Sequence, residues 1–568
     1  MLKRLWTIAV AACCVVLLGA PPAGGQAVYG RVYGTVTDPS GAAIPGAKVL
    51  VTSVGQGTTK ETSTNEGGNY SVPYLIPGNY DVRIEITGFK AFEAKGIPVA
   101  ADAAARVDAA MELGDAASTV TVTAESTPLL KTDRADVSFD FTEREIKETP
   151  MLNRNFTEFQ LLSPGTQSFT WQHAAPENPQ GSLQIAVNGQ HFSGTAFQLD
   201  GTDNRDPILG IIVVNPNLES VQELKITTQN YDAEFGQASA AVITAQTKSG
   251  TNNFHGSAFW FRRHDGLQAR DPFTQSTPNS VTGKFIPDSL RNEFGGTIGG
   301  PVMTDKLFFF GDYQGVREKV GNSVLTSVPT ALVRSTCLDP ASANCNLSEY
   351  LTAGQIFDPA TGNPDGTGRT AFAGNIIPNG RISPEARALL ALLPAPTTGG
   401  IFRNFASGGT GGYNSDAFNV RIDYPFSQNL NFLGRYSLAD YELTGPGLFD
   451  TPTVAVGGPG LGLAGFGGQS AYTNHSLATG FNYSLSTTWL TDFRFGYFRY
   501  AGDVNPNGLG TTPATDAGIP GLNMGDDLTS GMPAFFIGDR DQLGGDIAFG
   551  YALSDRLTRC NCPLIQTE

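Results

Sequence analysis

Residues 418–424 read Phe418-Asn419-Val420-Arg421-Ile422-Asp423-Tyr424, with Phe, Val, Ile and Tyr on one parity and Asn, Arg and Asp on the other. Successive side chains of a strand point to opposite faces, so this stretch has one apolar and one polar face. The pattern recurs in Leu477, Thr479, Phe481, Tyr483 and Leu485 against Ser476, Ala478, Gly480, Asn482 and Ser484. It recurs again in Phe493, Phe495 and Tyr497 against Asp492, Arg494 and Gly496. A soluble sandwich with one buried face has the same period. Strands of about ten residues, aromatics gathered towards strand ends and long Gly-rich loops between them favour a transmembrane barrel, apolar outside and polar within. A sheet can live in lipid only when closed, because an open edge leaves backbone groups that no water satisfies.

Composition agrees. The 568 residues include 68 Gly, 10% aromatic and 16% charged residues, and the mean hydropathy is -0.13. That lies between a helical membrane protein and a charged cytosolic enzyme, and suits many strands joined by polar loops. The length calls for two or three domains. Acidic residues number 53 against 37 basic, giving a net charge of -16, which argues against nucleic acid as a partner. Residues 1–27 have the form of a secretory signal: Lys3 and Arg4, an apolar run from Leu5 to Leu18, and Gly25-Gln26-Ala27 as the cleavage site. Val10-Ala11-Ala12-Cys13 resembles a lipoprotein box, but the apolar run continues through Cys14, which argues against lipidation. No later run is long and apolar enough for a spanning helix, so membrane residence must come from strands.

Four cysteines remain after the signal. Cys337 and Cys345 lie in a loop-like stretch and are expected to bridge in an oxidising compartment. Cys560 and Cys562 lack the further Cys or His that a zinc site needs, so a disulfide or partners further along the chain is expected. His173, His191, His255, His264 and His475 show no metal-ligand spacing, and no Ser/His/Asp arrangement is recognisable; neither a catalytic site nor a cofactor is expected. The pair Asp526-Asp527 reads as solvated charge rather than a Ca²⁺ loop.

Residues 28–114 read as a β-sandwich, with strands Val32–Thr37, Ala47–Ser53, Asn69–Val72 and Tyr80–Thr87 between Pro/Gly turns. Residues 115–250 read as an α+β globule. Thr142 to Glu145 forms a capping box before a helix ended by Pro150, and Asn155–Leu162 reads as a second helix. Leu183–Asn188 and Thr195–Leu199 are expected to pair across Gly189–Gly194, and a helix at Leu218–Leu224 to lead into a strand at Lys225–Gln229. Residues 251–568 read as antiparallel barrel wall with roughly eight strands. The loops Thr326–Tyr413 and Tyr441–Ser470 are expected to be exposed and to carry recognition.

The first region resembles the carboxypeptidase regulatory-like family, a transthyretin-like sandwich, through Gly34-Thr35-Val36-Thr37-Asp38, Ile44-Pro45-Gly46-Ala47 and Leu75-Ile76-Pro77-Gly78-Asn79-Tyr80. The second resembles the plug of TonB-dependent receptors of the Oar-like, OmpA-related subfamily. The motifs are Pro150-Met151-Leu152-Asn153-Arg154-Asn155, Gln198-Leu199-Asp200-Gly201 with Asn204, Ser220-Val221-Gln222-Glu223-Leu224 and Tyr231-Asp232-Ala233-Glu234-Phe235-Gly236, followed by Thr247-Lys248-Ser249-Gly250. Barrel-entry patterns follow at Asn292–Pro301 and Lys306–Gly311. The resemblance implies an outer-membrane receptor, with sandwich and plug towards the periplasm, that takes up a bulky solute through a plugged barrel using energy from the periplasmic protein TonB. It makes Thr119-Val120-Thr121-Val122-Thr123 the candidate strand for pairing with TonB, although an ordinary sandwich or plug strand has the same sequence character. The partners so implied are TonB, outer-membrane lipid and an unidentified extracellular solute.

Asp200 and Gly201 suit a plug turn. Glu223, Lys225, Glu234 and Lys248 suit either plug-to-barrel ion pairs or plain surface charge. Barrels that hold a folded plug have about twenty-two strands, so the wall is expected to be unfinished at Glu568. The alternatives are an adhesion or envelope-assembly protein anchored by its barrel, or, with no barrel, a secreted carbohydrate-binding or peptidase-accessory protein.

Overall fold

The computed structural model describes residues 29–101, 103–114, 119–123, 135–169, 177–232, 235–270, 278–279, 281–451, 455–485, 489–536, 543–545, 553–561 and 564–567. The fold is mainly β throughout.

The N-terminal sandwich has two sheets. In one, Gly30–Thr37 lies between Asn69–Leu75 and the short parallel strands Ala104–Arg106 and Ala109–Ala110. The other runs in the order Thr59–Ser63, Lys48–Ser53, Gly78–Glu85, Ala91–Val99, Thr119–Thr123. Alternate residues meet between the sheets, with Val32, Val36, Val49, Val51, Val82 and Ile84 fully enclosed. The four strands expected from the sequence are all present. Thr59–Ser63 was not expected because, as an edge strand carrying Lys60 and Glu61, it has no apolar face to announce it. Thr119–Thr123 is an edge strand of the sandwich, parallel to its neighbour from Ala91↔Thr119 to Lys95↔Thr123.

The α+β globule is built on a sheet ordered Val137–Thr142, Val221–Gln229, Val242–Thr247, Ala196–Leu199, Thr202–Asp203. Its helix Glu143–Glu148 starts at a reciprocal capping box, in which Thr142 N donates to Glu145 Oε2 at 2.8 Å. Phe156–Leu162 is helical but wound as 3₁₀, capped by Asn155. The expected hairpin does not form: Ile185–Val187 pairs with Thr166–Ser168, and Ala196–Leu199 runs parallel to Val242–Thr247. Gln190 N turns back onto Val187 O, and a 3₁₀ turn at Phe192–Gly194 then buries Phe192 and carries the chain away. The expected helix near Leu218 is a single 3₁₀ turn, Leu218–Ser220, with the strand starting at Val221, because burial on both faces removes the polar alternation that marks a strand.

The third part is a continuous antiparallel sheet of nine strands. In chain order they are β1 (His255–His264), β2 (Ser289–Met303), β3 (Leu307–Thr326), β4 (Phe405–Pro425), β5 (Leu430–Gly445), β6 (Gly468–Ser484), β7 (Leu490–Asn505), β8 (Leu553–Asn561) and β9 (Leu564–Thr567). Each pairs with the next, except that β8 and β9 both pair with β7. Links at one end are short, at 304–306, 426–429 and 485–489; those at the other are long, at 265–288, 327–404 and 446–467. That asymmetry belongs to outer-membrane barrels, short turns inside and long loops outside.

The parity read from residues 418–424 is realised. Phe418, Val420 and Ile422 are 36%, 42% and 47% exposed on the outer face, whereas Asn419, Arg421 and Asp423 are 4%, 3% and 3% exposed on the inner. On the outer face the apolar belt ends at Asp416, which is paired with Arg317 at 2.8 Å, and at the aromatic group Tyr424, Phe426 and Phe432. Asp416 to Tyr424 spans nine residues, within the roughly 9–11 residues with which a tilted strand crosses the apolar band of a bilayer.

The long connections are shorter and more ordered than their composition implies. β4 begins at Phe405 and β5 runs to Gly445. The connection 327–404 carries helices Ala331–Cys337 and Pro384–Leu392, the Cys337–Cys345 disulfide and an apolar core of its own around Val333 and Ile377. A second core joins Val328 and Leu393 to Leu448, Phe449 and Val456 of the next connection.

Val420 stands mid-belt on the outer face, so Val420→Arg should lower the stability of the inserted barrel by about 2–4 kcal/mol. Val420→Leu should be near neutral. Urea titration of the protein folded in lipid bilayers measures both.

Candidate functional site: the seam between plug and barrel wall

Asp200 sits where Ala196–Leu199 reverses into Thr202–Asp203, at φ 50°, with Gly201 at φ 78°. Asp and Gly tolerate this left-handed backbone, and the turn throws the carboxylate out of the globule towards β4 and β5. Thr247 N donates to Asp200 Oδ1 at 2.9 Å and Thr247 Oγ1 to Oδ2 at 2.8 Å. From the wall, Arg421 Nη1 reaches Oδ1 at 3.1 Å and Arg435 Nε reaches Oδ2 at 2.9 Å. Arg421 is held from behind by Asp423, with Nε to Oδ2 and Nη2 to Oδ1 both at 2.9 Å, and donates to Thr247 O at 2.6 Å. Arg435 donates to Ser437 and, at 3.1 Å, to Ser476 Oγ. Two carboxylates thus balance two guanidinium groups, and each of these side chains is at most 4% exposed.

A second group of charges lies where the plug faces β1 to β3. Arg154, at φ 51°, places Nε 2.9 Å from Glu293 Oε1 of β2 and Nη2 3.2 Å from Glu219 Oε1 of the plug. Its guanidinium lies 4.1 Å from the Phe261 ring centre. Arg291 bridges Glu293 and Glu318 at 3.2 and 2.6 Å, and Arg263 reaches Glu318 at 2.8 Å. Arg263 and Arg291 also donate to Asn153, to Oδ1 at 3.1 Å and to the backbone O at 3.3 Å.

The third contact is apolar. Ile211, Val213 and Val214 of the plug pack against Tyr441, Tyr472, Phe498 and Tyr500 on the inner face of β5 to β7. Asn474 Nδ2 donates to Val213 O at 2.8 Å. Asn204 sets this loop, bonding Val214 through both amide atoms at 2.8 and 3.0 Å. Between the charged and the apolar contacts lies a cavity of about 470 Å³, bordered by Arg154, Gln180, Arg263, Arg291, Tyr413 and Tyr441.

Of the plug residues singled out in the sequence, Asn153, Arg154 and Asp200 therefore touch the wall, while Gly201 and Asn204 shape the loops that do. Glu223 instead accepts from Ala101 N of the sandwich at 2.8 Å. Lys225 pairs with Asp136 at 3.2 Å and Lys248 with Glu143 at 2.9 Å, both inside the plug. These three charges were candidates for the plug-to-barrel pairs, and none of these contacts crosses the seam; Glu234 lies outside the described residues. Gly236 is in a turn in which Ala238 N returns to Phe235 O.

The wall partners Glu293, Arg421, Asp423 and Arg435 were not singled out. Their signal was present in the inner parity of the strands, which alternation alone assigns to water. Cys560 lies in β8, and Cys562 is outside the described residues. Asp526 accepts from Thr529 N and Oγ1 at 2.8 and 2.6 Å.

An antiparallel wall, apolar outside and charged within, seated on an α+β globule that fills its inner face, defines an outer-membrane β-barrel protein with an internal plug. Residues 246–556, more than half of the chain, match the outer membrane beta barrel domain family, and residues 31–112 match the carboxypeptidase regulatory-like domain. The chain belongs to the outer membrane beta barrel domain family. It is 28% identical over 294 residues to the TonB-dependent transporter Oar of Myxococcus xanthus, a match covering 50% of this chain and 26% of that protein. It thus spans about a quarter of the length of that relative.

Among solved structures, the siderophore receptor PirA of Acinetobacter baumannii aligns at 13% identity with a TM-score of 0.36, over 66% of this chain and 41% of its own. The ferric enterobactin receptor PfeA aligns at 12% and 0.37, over 76% and 47%. Both likenesses are loose.

Removing the shared carboxylate would strand the buried Arg435 and leave Arg421 with Asp423 alone. Asp200→Ala should cost about 3–5 kcal/mol, the usual penalty for an uncompensated buried charge. Asp200→Asn, which keeps the left-handed turn and an acceptor for Thr247 N, should cost less. Urea unfolding of the plug, followed by protease resistance of residues 135–248, ranks the two.

Proposed function

We propose that this chain is the plug-bearing part of an outer-membrane TonB-dependent receptor, which takes up a bulky solute by displacing the plug with energy delivered from the periplasm. Residues 1–27 are its export signal, 28–114 together with the strand Thr119–Thr123 its periplasmic sandwich, the rest of 115–250 its plug segment and 251–568 its barrel wall. The observation that carries the reading is the charged seam. Surfaces that never part are commonly as stable or more so with apolar packing in place of a buried ion pair. A seam of matched charges fixes one geometry while the plug is home and is rehydrated when it leaves. The seam's acidic and basic groups are engaged with each other rather than gathered round a reacting centre, which supports a non-catalytic role. The connections 327–404 and 446–467, folded around their own cores, offer a preformed outer surface for solute recognition.

Thr119–Thr123 is the segment through which the periplasmic partner pulls. It is an edge strand bonded to Ala91–Lys95 on one side, and an edge can take an added strand whose backbone bonds supply the affinity. Val120→Pro removes one backbone donor there, and should abolish capture by TonB while leaving membrane insertion intact. Undiminished TonB pull-down by the variant would sink the assignment. A barrel serving only as an anchor for adhesion or envelope assembly needs no energy, so growth on candidate solutes that is unchanged by loss of TonB would favour that second reading.

A further inference from the structure

Ser249 is the point where sandwich, plug and wall meet. It follows the last plug strand and precedes β1. Its hydroxyl donates to Asp423 Oδ2 at 2.6 Å and accepts from Gln56 Nε2 at 3.0 Å. A serine hydroxyl has one proton to give. Accepting from Gln56 favours the orientation in which that proton points to Asp423 at 2.6 Å rather than to Gly250 O at 3.3 Å; Asp423 is the carboxylate that holds Arg421 against Asp200.

Gln56 is itself fixed. It sits at the tip of the sandwich turn between Lys48–Ser53 and Thr59–Ser63, 8% exposed. Its Nε2 also reaches Gly250 O at 3.3 Å, and its backbone carbonyl accepts from Asn252 Nδ2 at 2.7 Å. Asn252 N donates to Gly55 O at 3.0 Å, and Asn252 is bonded in turn to Asp305 in the β2–β3 turn, at 2.7 and 2.9 Å. The approach is close at Gly57, where φ is 68° and an added Cβ would lie 2.7 Å from Asp305 Oδ1. A second tie, Ala101 N to Glu223, joins the sandwich to the plug sheet.

We propose that Gln56 and Ser249 are positioning residues of the plug seat: the sandwich, through Gln56, orients the Ser249 hydroxyl on Asp423 and so sets how firmly Arg421 grips Asp200. The periplasmic sandwich then acts as a third part of the lock, and undocking it loosens the plug before any charge pair is broken directly. This rests on the reading of residues 135–248 as a plug that leaves its seat.

The test is native-state hydrogen exchange on the full chain in lipid nanodiscs, with no TonB or solute present, so its outcome is independent of whether transport occurs. The Thr247 amide reports directly, since it donates to Asp200 Oδ1. Gln56→Ala and Ser249→Ala should each speed exchange at Thr247 by roughly five- to tenfold, the effect of losing about one net hydrogen bond. Ser249→Thr, which keeps the hydroxyl, should stay close to wild type, and the β4 to β6 amides should be unchanged. Wild-type exchange at Thr247 in Gln56→Ala overturns the proposal, whatever Ser249→Ala does. Acceleration spread equally over β4 to β6 overturns it too, because that reports general destabilisation rather than a loosened seat.

Discussion

Two arginines of the barrel wall, Arg421 and Arg435, are buried against a single carboxylate of the plug, Asp200. Neither surface could hold these charges alone in a dry interior, since an unpaired buried charge costs several kcal/mol. The plug turn at Asp200, the Thr247 hydrogen bonds, the Asp423 brace and the Ser249 link all follow from that need for exact pairing. The seat therefore fixes orientation: rotating the plug would leave Asp200 and Arg435 without their ion-pair partner and Arg421 with Asp423 alone.

The same wall faces two solvents, and its alternation reconciles them. Outside, Phe418, Val420 and Ile422 offer lipid a surface with nothing to hydrogen-bond. Inside, the polar parity meets not bulk water but the plug, and where the plug presents Ile211 and Val213 the wall answers with Tyr472, Phe498 and Tyr500. The inner face is thus patterned to the plug's own surface, charged where Asp200 and Arg154 approach and aromatic where the 211–214 loop does.

Barrel parity was legible because a strand with different solvents on its two faces must alternate strictly, and Phe418 to Tyr424 does so over seven residues. The capping box at Thr142 and the sandwich strands were legible for the same kind of reason, each being a local signal with a local cause. The pairing of Ala196–Leu199 was not. It joins Val242–Thr247, more than forty residues away, and nothing near Gly189 distinguishes that from a hairpin. Composition likewise marked Thr326–Tyr413 as loop throughout, because short helices packed on each other around Val333 and Ile377 need few apolar residues.

Among the seam residues, Arg154 and Asp200 stood out in the sequence, both in motifs and both in left-handed turns. Their partners Glu293, Arg421 and Arg435 did not, because a charge on the inner parity of a strand looks the same whether it meets water or a buried carboxylate. The sequence by itself determined the order of sandwich, globule and strand-built wall and the two faces of that wall, since these rest on periodicity and composition within short windows. Only the tertiary structure decided which charges cross the seam and that the sandwich reaches it through Gln56, because ion pairing depends on distance in space, and the paired residues lie as much as 235 positions apart.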